Sequence, residues 1–454
     1  MATIDQPDRS GAEWNGWQKV VFRIIFIYFF LQIVPLDWKY YLHLAGVDWL
    51  HLSFRDIFNI AKYTPQFTSS VAHGQDWGQA GFADWGFIFL LALVGGLFWS
   101  WRDKERGNYV RLYYYLLVLV RYRLAIGVIA YGFLKVFALQ APYPSVSSLN
   151  TPYGDFTSWR LFSLSLGIVP GYQSFLGVVE LLAGLFLLFR KTAPVGAIII
   201  VFFTGNVFMS NLAYEGGDVV YSFYLVVLAL FIVVYYAEQI INLLILAQPA
   251  APVIVPISWS GSAKKLRWGV KSMVVLVFVV FYGIGVYGSA VKGNYHFSTQ
   301  PGLKGLTGLY TVNSFSVDGR VLPASLLDSI RWQDVVFEKW ATLSIKVNDY
   351  YLPVNYNGEG IPSEDGGDAF ESTATTGRHY YSYQADTTKH LMVLTDLTSS
   401  GKRAGELSYA LESDSTVVLK GNVNGKAVEA ILQKNNKKYL LKASEKGRRG
   451  SLKL

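Results

Sequence analysis

The stretch Gly269–Ala290, GVKSMVVLVFVVFYGIGVYGSA, carries a single charged residue, Lys271, near its start. A helix needs about 20 mostly apolar residues to cross a bilayer, and this stretch has that length. From Val291 onward the pattern changes to short alternating segments bounded by turn residues, the signature of a water-soluble β domain. The chain therefore reads as two parts that meet just after this stretch. Toward the N-terminus lie six more runs of spanning length: Trp17–Leu36, Phe82–Trp101, Arg121–Gln140, Gly171–Phe189, Ala193–Ala213 and Val219–Leu246. The predicted fold class is a polytopic α-helical membrane bundle of seven transmembrane helices, followed by a C-terminal antiparallel β-barrel or β-sandwich domain.

Composition agrees with this division. Of 454 residues, 52% are hydrophobic and 16% aromatic, as expected where Trp and Tyr mark the ends of membrane helices. The net charge of +8 does not imply a nucleic-acid partner, because much of the Lys and Arg sits between the apolar runs. Arg102, Lys104, Arg106 and Arg111 follow the second run, Arg190 and Lys191 the fourth, and Lys264, Lys265, Arg267 and Lys271 lead into the seventh. These loops share one side in a seven-helix count, and basic loops stay in the cytoplasm. The expected localisation is the bacterial inner membrane, with the N-terminus cytoplasmic and the C-terminal domain periplasmic. The first run has no A-x-A site after it and reads as a signal anchor. The chain has no cysteine, which excludes thiol–disulfide exchange, c-type haem attachment, a cysteine nucleophile and iron–sulfur ligation by its own residues.

The expected domains are a cytoplasmic segment over 1–16, a transmembrane domain over 17–291, a linker over 292–300 and an extracytoplasmic β domain over 301–454. Within the second, Asp37–Tyr63 mixes aromatic rings with charges and predicts helices lying on the outer membrane surface. The third spanning helix has an amphipathic lead-in from Asn108. Ala141–Arg160 reads as a proline-containing loop, and a short helix over Ser158–Leu166 is broken by Pro170-Gly171. Strands are predicted over Gly308–Val317, Arg331–Trp340, Thr342–Val347, Tyr350–Tyr356, His379–Ala385, His390–Thr395, Glu406–Leu411, Thr416–Gly421, Ala427–Leu432 and Lys438–Ala443. Turns fall at Asp318-Gly319, Asn348-Asp349, Asn424-Gly425 and Asn435-Asn436. The last four strands read as a meander, and Gly358–Gly377 as a polar loop.

Ionisable residues inside spanning helices are costly and mark functional candidates. Lys135 and Glu180 are the clearest. At 1.5 Å per residue, Lys135 lies about 8 Å and Glu180 about 14 Å below the outer ends of consecutive antiparallel helices, so they can pair. Asn206 lies at a similar depth in the next helix, with Thr204 and Asn211 nearby. The five residues are expected to line a polar ligand pocket in the outer half of the bilayer; the alternative is a purely structural Lys135–Glu180 pair. Arg121 and Arg123 are expected at the inner headgroup boundary. His43 and His51 lack a carboxylate at H-E-x-x-H spacing, and no metal site is predicted. Gly177, Gly184 and Gly196 are read as positions of close helix approach.

The stretch Arg123-Leu-Ala-Ile-Gly127, continuing to Gly132-Phe-Leu-Lys135, and the later Val179-Glu180-Leu-Leu-Ala-Gly184-Leu-Phe-Leu-Leu-Phe-Arg190-Lys191-Thr192 resemble the DoxX/DoxD-like superfamily of membrane proteins. The likeness covers about Arg121–Leu246; the N-terminal segment and the β domain fall outside it. Described members of that superfamily include a thiosulfate:quinone oxidoreductase subunit and membrane partners of redox complexes. The resemblance implies contact with quinone, with Lys135 and Glu180 in the polar core. Spanning helices followed by an external β domain also resemble, in architecture, the vitamin K-dependent gamma-carboxylase and its relatives. Gly305-Leu-Thr-Gly308-Leu-Tyr310 resembles the opening strand of lipocalin-like barrels. The function expected is a quinone-contacting component of a membrane redox complex. No covalent cofactor is expected, and a protein partner would dock on the extracytoplasmic side. The alternative is a non-enzymatic envelope scaffold whose β domain binds protein, lipid or glycan.

Overall fold

A computed structural model describes residues 13–67, 81–249, 261–292, 296–350, 371–372, 375–398 and 401–441. The side chain of His43, all but the first residue of the strand expected over Tyr350–Tyr356, and most of the N-terminal segment and of the polar loop lie outside the described residues. In chain order the helices are α1 (Gly16–Ile33), α2 (Trp38–Gly46), α3 (Phe54–Ala61), α4 (Phe82–Arg102), α5 (Val110–Val136), α6 (Val146–Leu149), α7 (Ser158–Gly167), α8 (Pro170–Leu187), α9 (Ala193–Ala213), α10 (Val219–Tyr235), α11 (Ala237–Leu244) and α12 (Gly261–Lys292). The chain forms two compact units. One comprises 1–137, 174–213 and 218–288, and the other 138–173, 214–217 and 289–454.

The first unit is a helical bundle. Among the described residues six helices, α1, α4, α5, α8, α9 and α12, are long and apolar enough to cross a membrane. The expected span Val219–Leu246 is instead a bent pair, with α10 and α11 meeting at 70°; counted as one span it makes seven. The bend has a local cause. After Tyr236 the sequence turns amphipathic, with Glu238, Gln239 and Asn242 on α11, and these side chains favour a path along a surface rather than through an apolar layer.

Helix α5 has no exposed residue from Val120 to Lys135, whereas α4 exposes Phe89, Leu90, Val94, Leu97 and Phe98. A helix apolar all round is at home only in protein core or lipid. Glycines set the closest approaches. A Cβ on Gly177 would overlap the backbone at Lys135 and Val136, and one on Gly184 would lie 2.7 Å from Ile129. A Cβ on Gly196 would lie 2.6 Å from the Ala183 carbonyl oxygen. The three small-residue positions read from the sequence are therefore where helices touch. Helix α2 exposes Trp38, Tyr41 and Leu42, in keeping with a surface helix. Helix α3 departs from that expectation. It buries Ile57, Phe58 and Ala61, and the chain beyond it buries Tyr63, Thr64 and Gln66 within the bundle.

The second unit is built on a β-barrel. Its strands are β1 (Gly308–Val317), β2 (Arg320–Val321), β3 (Asp334–Phe337), β4 (Thr342–Lys346), β5 (Arg378–Asp386), β6 (Leu391–Asp396), β7 (Arg403–Leu411), β8 (Thr416–Val423) and β9 (Lys426–Asn435). Neighbours pair antiparallel in sequence order, with β2 a short flap on β1. The β1–β9 pairing, from Leu309↔Asn435 to Val317↔Val428, closes the remaining eight strands into a barrel. Closure removes both sheet edges. Alternate residues such as Tyr310, Phe337, Leu343, Tyr381, Leu394, Leu407, Leu419 and Leu432 form one buried apolar core, as the narrow interior of an eight-stranded barrel allows.

The Asp318-Gly319 and Asn424-Gly425 turns have positive φ at both residues (50° and 80°; 53° and 81°), which these pairs tolerate. The strand expected over Lys438–Ala443 is not formed in its described part. Residues 436–439 have no regular structure, and β9 closes on β1 instead. The strand expected over Arg331–Trp340 is shorter, because Arg331 turns in to donate to the carbonyls of Leu322, Trp332 and Val312 at 3.2, 2.8 and 3.2 Å.

The unit boundary also differs from the expected one. Segment 138–173 belongs with the barrel and covers the outer wall of β3–β5. Glu338 follows β3 and accepts hydrogen bonds from Ser147 N (2.7 Å), Ser147 Oγ (2.7 Å) and Val146 N (3.3 Å), at the start of α6. Arg378 opens β5 and donates to Asn150 O (3.3 Å), Ser344 Oγ (3.1 Å) and Asp334 Oδ1 (2.7 Å). What reads as a free loop is pinned by buried polar contacts.

Candidate functional site

The candidate site is built on α5, α8 and α9. Gly132 and Gly177 let the backbones of α5 and α8 touch, which brings their long polar side chains within reach. Lys135 Nζ lies 2.6 Å from Glu180 Oε2, both side chains being buried. The ammonium also lies 5.5 Å from the centre of the Phe203 ring on α9, a cation–π distance. The sequence-predicted pair is formed.

Thr204 and Asn211 lie on the buried face of α9, seven residues apart and so on one side of the helix. Asn211 Nδ2 donates to Val207 O at 3.1 Å. Thr204 Oγ1 and Asn211 Oδ1 are buried with no hydrogen-bond partner among the described residues. Asn206 is exposed and does not face the pair. The reason is helical phase: two residues on from Thr204, its side chain is turned about 200° around α9. The expected five-residue pocket is thus corrected. Lys135 and Glu180 meet, Thr204 and Asn211 are turned inward, and Asn206 is turned outward.

Arg121 and Arg123 are both buried in the protein. Each closes a helix C-terminus. Arg121 Nε and Nη2 donate to the carbonyl of Leu187, the last residue of α8, at 3.1 and 2.9 Å. Arg123 Nη1 donates to the carbonyl of Ala61, the last residue of α3, at 2.6 Å, and Nη2 donates to the carbonyl of Tyr63. A cation there satisfies orphan carbonyls and meets the negative end of the helix dipole. Arg123 thereby ties the end of α3 to α5.

Sequence reasoning missed a second buried ionic group. Asp218 precedes α10 and takes Lys62 Nζ at 2.7 Å on Oδ1 and Tyr131 OH at 2.6 Å on Oδ2. Lys62 also lies 5.9 Å from the ring centres of both Tyr131 and Tyr221. Tyr221, whose hydroxyl donates to Ala61 O at 3.4 Å, is close enough to feel the charges of Arg123, Asp218 and Glu180. The signal available was the acid immediately before an apolar run, a place where a carboxylate meets the positive end of a helix. The bundle thus holds ammonium, guanidinium, hydroxyl and carboxylate groups in a mostly apolar surround. Such a core can donate hydrogen bonds to an electron-rich ligand and accept them from its reduced form.

No family model, no curated protein and no solved structure matches this chain.

Proposed function

We propose that this chain is a DoxX-like protein of the bacterial inner membrane that contacts quinone in its helical bundle. Its periplasmic barrel would dock the partner that carries the redox centre. One observation carries the reading: two buried side-chain oxygens on α9, Thr204 Oγ1 and Asn211 Oδ1, have no hydrogen-bond partner among the described residues, one helix away from a buried Lys–Glu pair. Leaving a buried polar group unpaired costs about 1–3 kcal/mol, so a ligand that pairs it is favoured.

The residues fit such a group. The Thr204 hydroxyl and the Lys135 ammonium would donate to a quinone carbonyl oxygen, and the Asn211 carbonyl oxygen would accept from a quinol hydroxyl. A bound quinone supplies two-electron, two-proton chemistry. The chain's own residues hold the ring and exclude water, and the electrons require a partner. The test is organic extraction of the purified protein and mass identification of what it retains.

A second reading, a non-enzymatic scaffold, is favoured by a different observation. Lys135 and Glu180 already satisfy each other at 2.6 Å, and Arg121 and Arg123 spend their donors on helix ends. A stable protein partner recovered with no small molecule would select that reading.

A further inference from the structure

The side chains of α11 divide by face. Glu238, Gln239 and Asn242 fall within an arc of about 100° around the helix, and Ala237, Ile240, Ile241 and Leu244 occupy the opposite side. In a water-soluble protein the apolar side of such a helix packs on the core. Here it does not. No residue of α11 is buried, and Ile241 and Leu244 are exposed, as are Ile245 and Leu246 just beyond the helix. Leu244 and Ile245 are 70% and 73% exposed, whereas the polar Gln239 and Asn242 are half-buried. The protein leaves the apolar face of α11 uncovered.

What covers that face follows from where the bend falls. The preceding element, α10, also exposes apolar side chains, Leu230 and Val234, and the two helices together are apolar enough to count as one span. They meet at Tyr236, to whose hydroxyl Arg190 donates. Arg190 lies in the turn between α8 and α9, where one helix of spanning length ends and the next begins. Helix α11 therefore starts at the level where spans end. The 70° bend leaves it within about 20° of the membrane plane when α10 follows the bilayer normal. A helix at that level and in that plane, apolar on one face and polar on the other, rests at the boundary between headgroups and acyl chains. Tyr235 and Tyr236 sit at the bend, as tyrosines do at membrane interfaces. Glu238 is the one charged side chain on α11, and the helix carries no Lys or Arg, so attraction to anionic lipid has no part in its seating.

We propose that α11 is an interfacial anchor whose Ile241 and Leu244, with Ile245 beyond them, enter the acyl-chain boundary of the leaflet on the Arg190 side, to a depth of about 5–10 Å. The partner is the bilayer surface itself, irrespective of headgroup charge. This goes beyond the quinone reading and does not depend on it.

The chain has no cysteine, so Leu244→Cys places a single environment-sensitive fluorophore on the apolar face of the full-length protein. After reconstitution in phosphatidylcholine vesicles, lipids brominated near the carbonyl should quench this label about twofold more strongly than lipids brominated near the chain end. Ile241→Cys, on the same face, should give the same order. A label at Glu238→Cys should be quenched by aqueous iodide instead. Adding phosphatidylglycerol or salt should leave the lipid quenching unchanged. Stronger quenching by the deep bromines would make α11 part of a re-entrant loop and overturn the proposal. Labels on the apolar face that iodide quenches, or that neither iodide nor lipid reaches because a second copy or another protein covers them, would also overturn it. So would lipid quenching that requires phosphatidylglycerol.

Discussion

At the scale of single residues, the bundle is ruled by the cost of isolated charge. Lys135 and Glu180 sit 2.6 Å apart in a buried setting. Deleting one member of such a pair leaves the other uncompensated, at about 3–5 kcal/mol. Lys135→Met and Glu180→Gln should therefore each lower the melting temperature of the detergent-solubilised protein clearly, while the double variant recovers most of the loss. Additive losses would mean that the two side chains do not depend on each other. This pair was legible in the sequence because two lone ionisable residues fall at matching depths in consecutive apolar helices. Asn206 was misplaced because depth alone ignores helical phase. The partners of Arg121 and Arg123 were not legible because they are backbone carbonyls about sixty residues away in sequence, at 187 and 61, which no local pattern records.

At the scale of elements, hairpins were legible and long-range closures were not. Asn424-Gly425 announces its turn locally, with both residues in the left-handed region. The β1–β9 pairing joins strands more than a hundred residues apart, so the sequence left barrel and sandwich open. The docking of α6 on Glu338 was equally hidden.

That contact has a pH signature. Burial pushes the Glu338 carboxyl above the usual glutamate range, while hydrogen bonds from Ser147 and Val146 pull the other way without prevailing. A carboxyl raised in the folded state favours folding in its protonated form. That contribution is complete below the ordinary glutamate pKa and is lost as pH rises through the raised value. Glu338→Gln carries no charge to titrate. Thermal melts of both proteins, followed by near-ultraviolet circular dichroism from about pH 4 to 8, should show wild type losing stability relative to the variant as pH rises. Parallel profiles would contradict this.

At the scale of the whole molecule, apolar run length predicted the helical part, and period-2 alternation predicted the β part. Both signals are local and strong. The assignment of 138–173 to the barrel's unit was not legible, because a loop is recruited by side chains it meets only after folding. In the proposed orientation, read from the Lys/Arg bias, the loops after Arg102 and Arg190 are cytoplasmic and the barrel lies outside. Reporter fusions after Arg106 and after Leu454 should therefore report opposite sides of the membrane, and same-side signals would refute that orientation.

The functional account turns on whether the oxygens of Thr204 and Asn211 serve a ligand. The decisive measurement is the amount of quinone, identified by mass, that purified protein retains, compared between wild type and Thr204→Val/Asn211→Leu. The two oxygens have no hydrogen-bond partner among the described residues, and Asn211 Nδ2 gives up only one bond to the Val207 carbonyl within its own helix, so the variant should melt close to wild type. Quinone bound by wild type and lost from a well-folded variant is the predicted result. Wild type that retains none, or a variant that retains as much, would contradict the account.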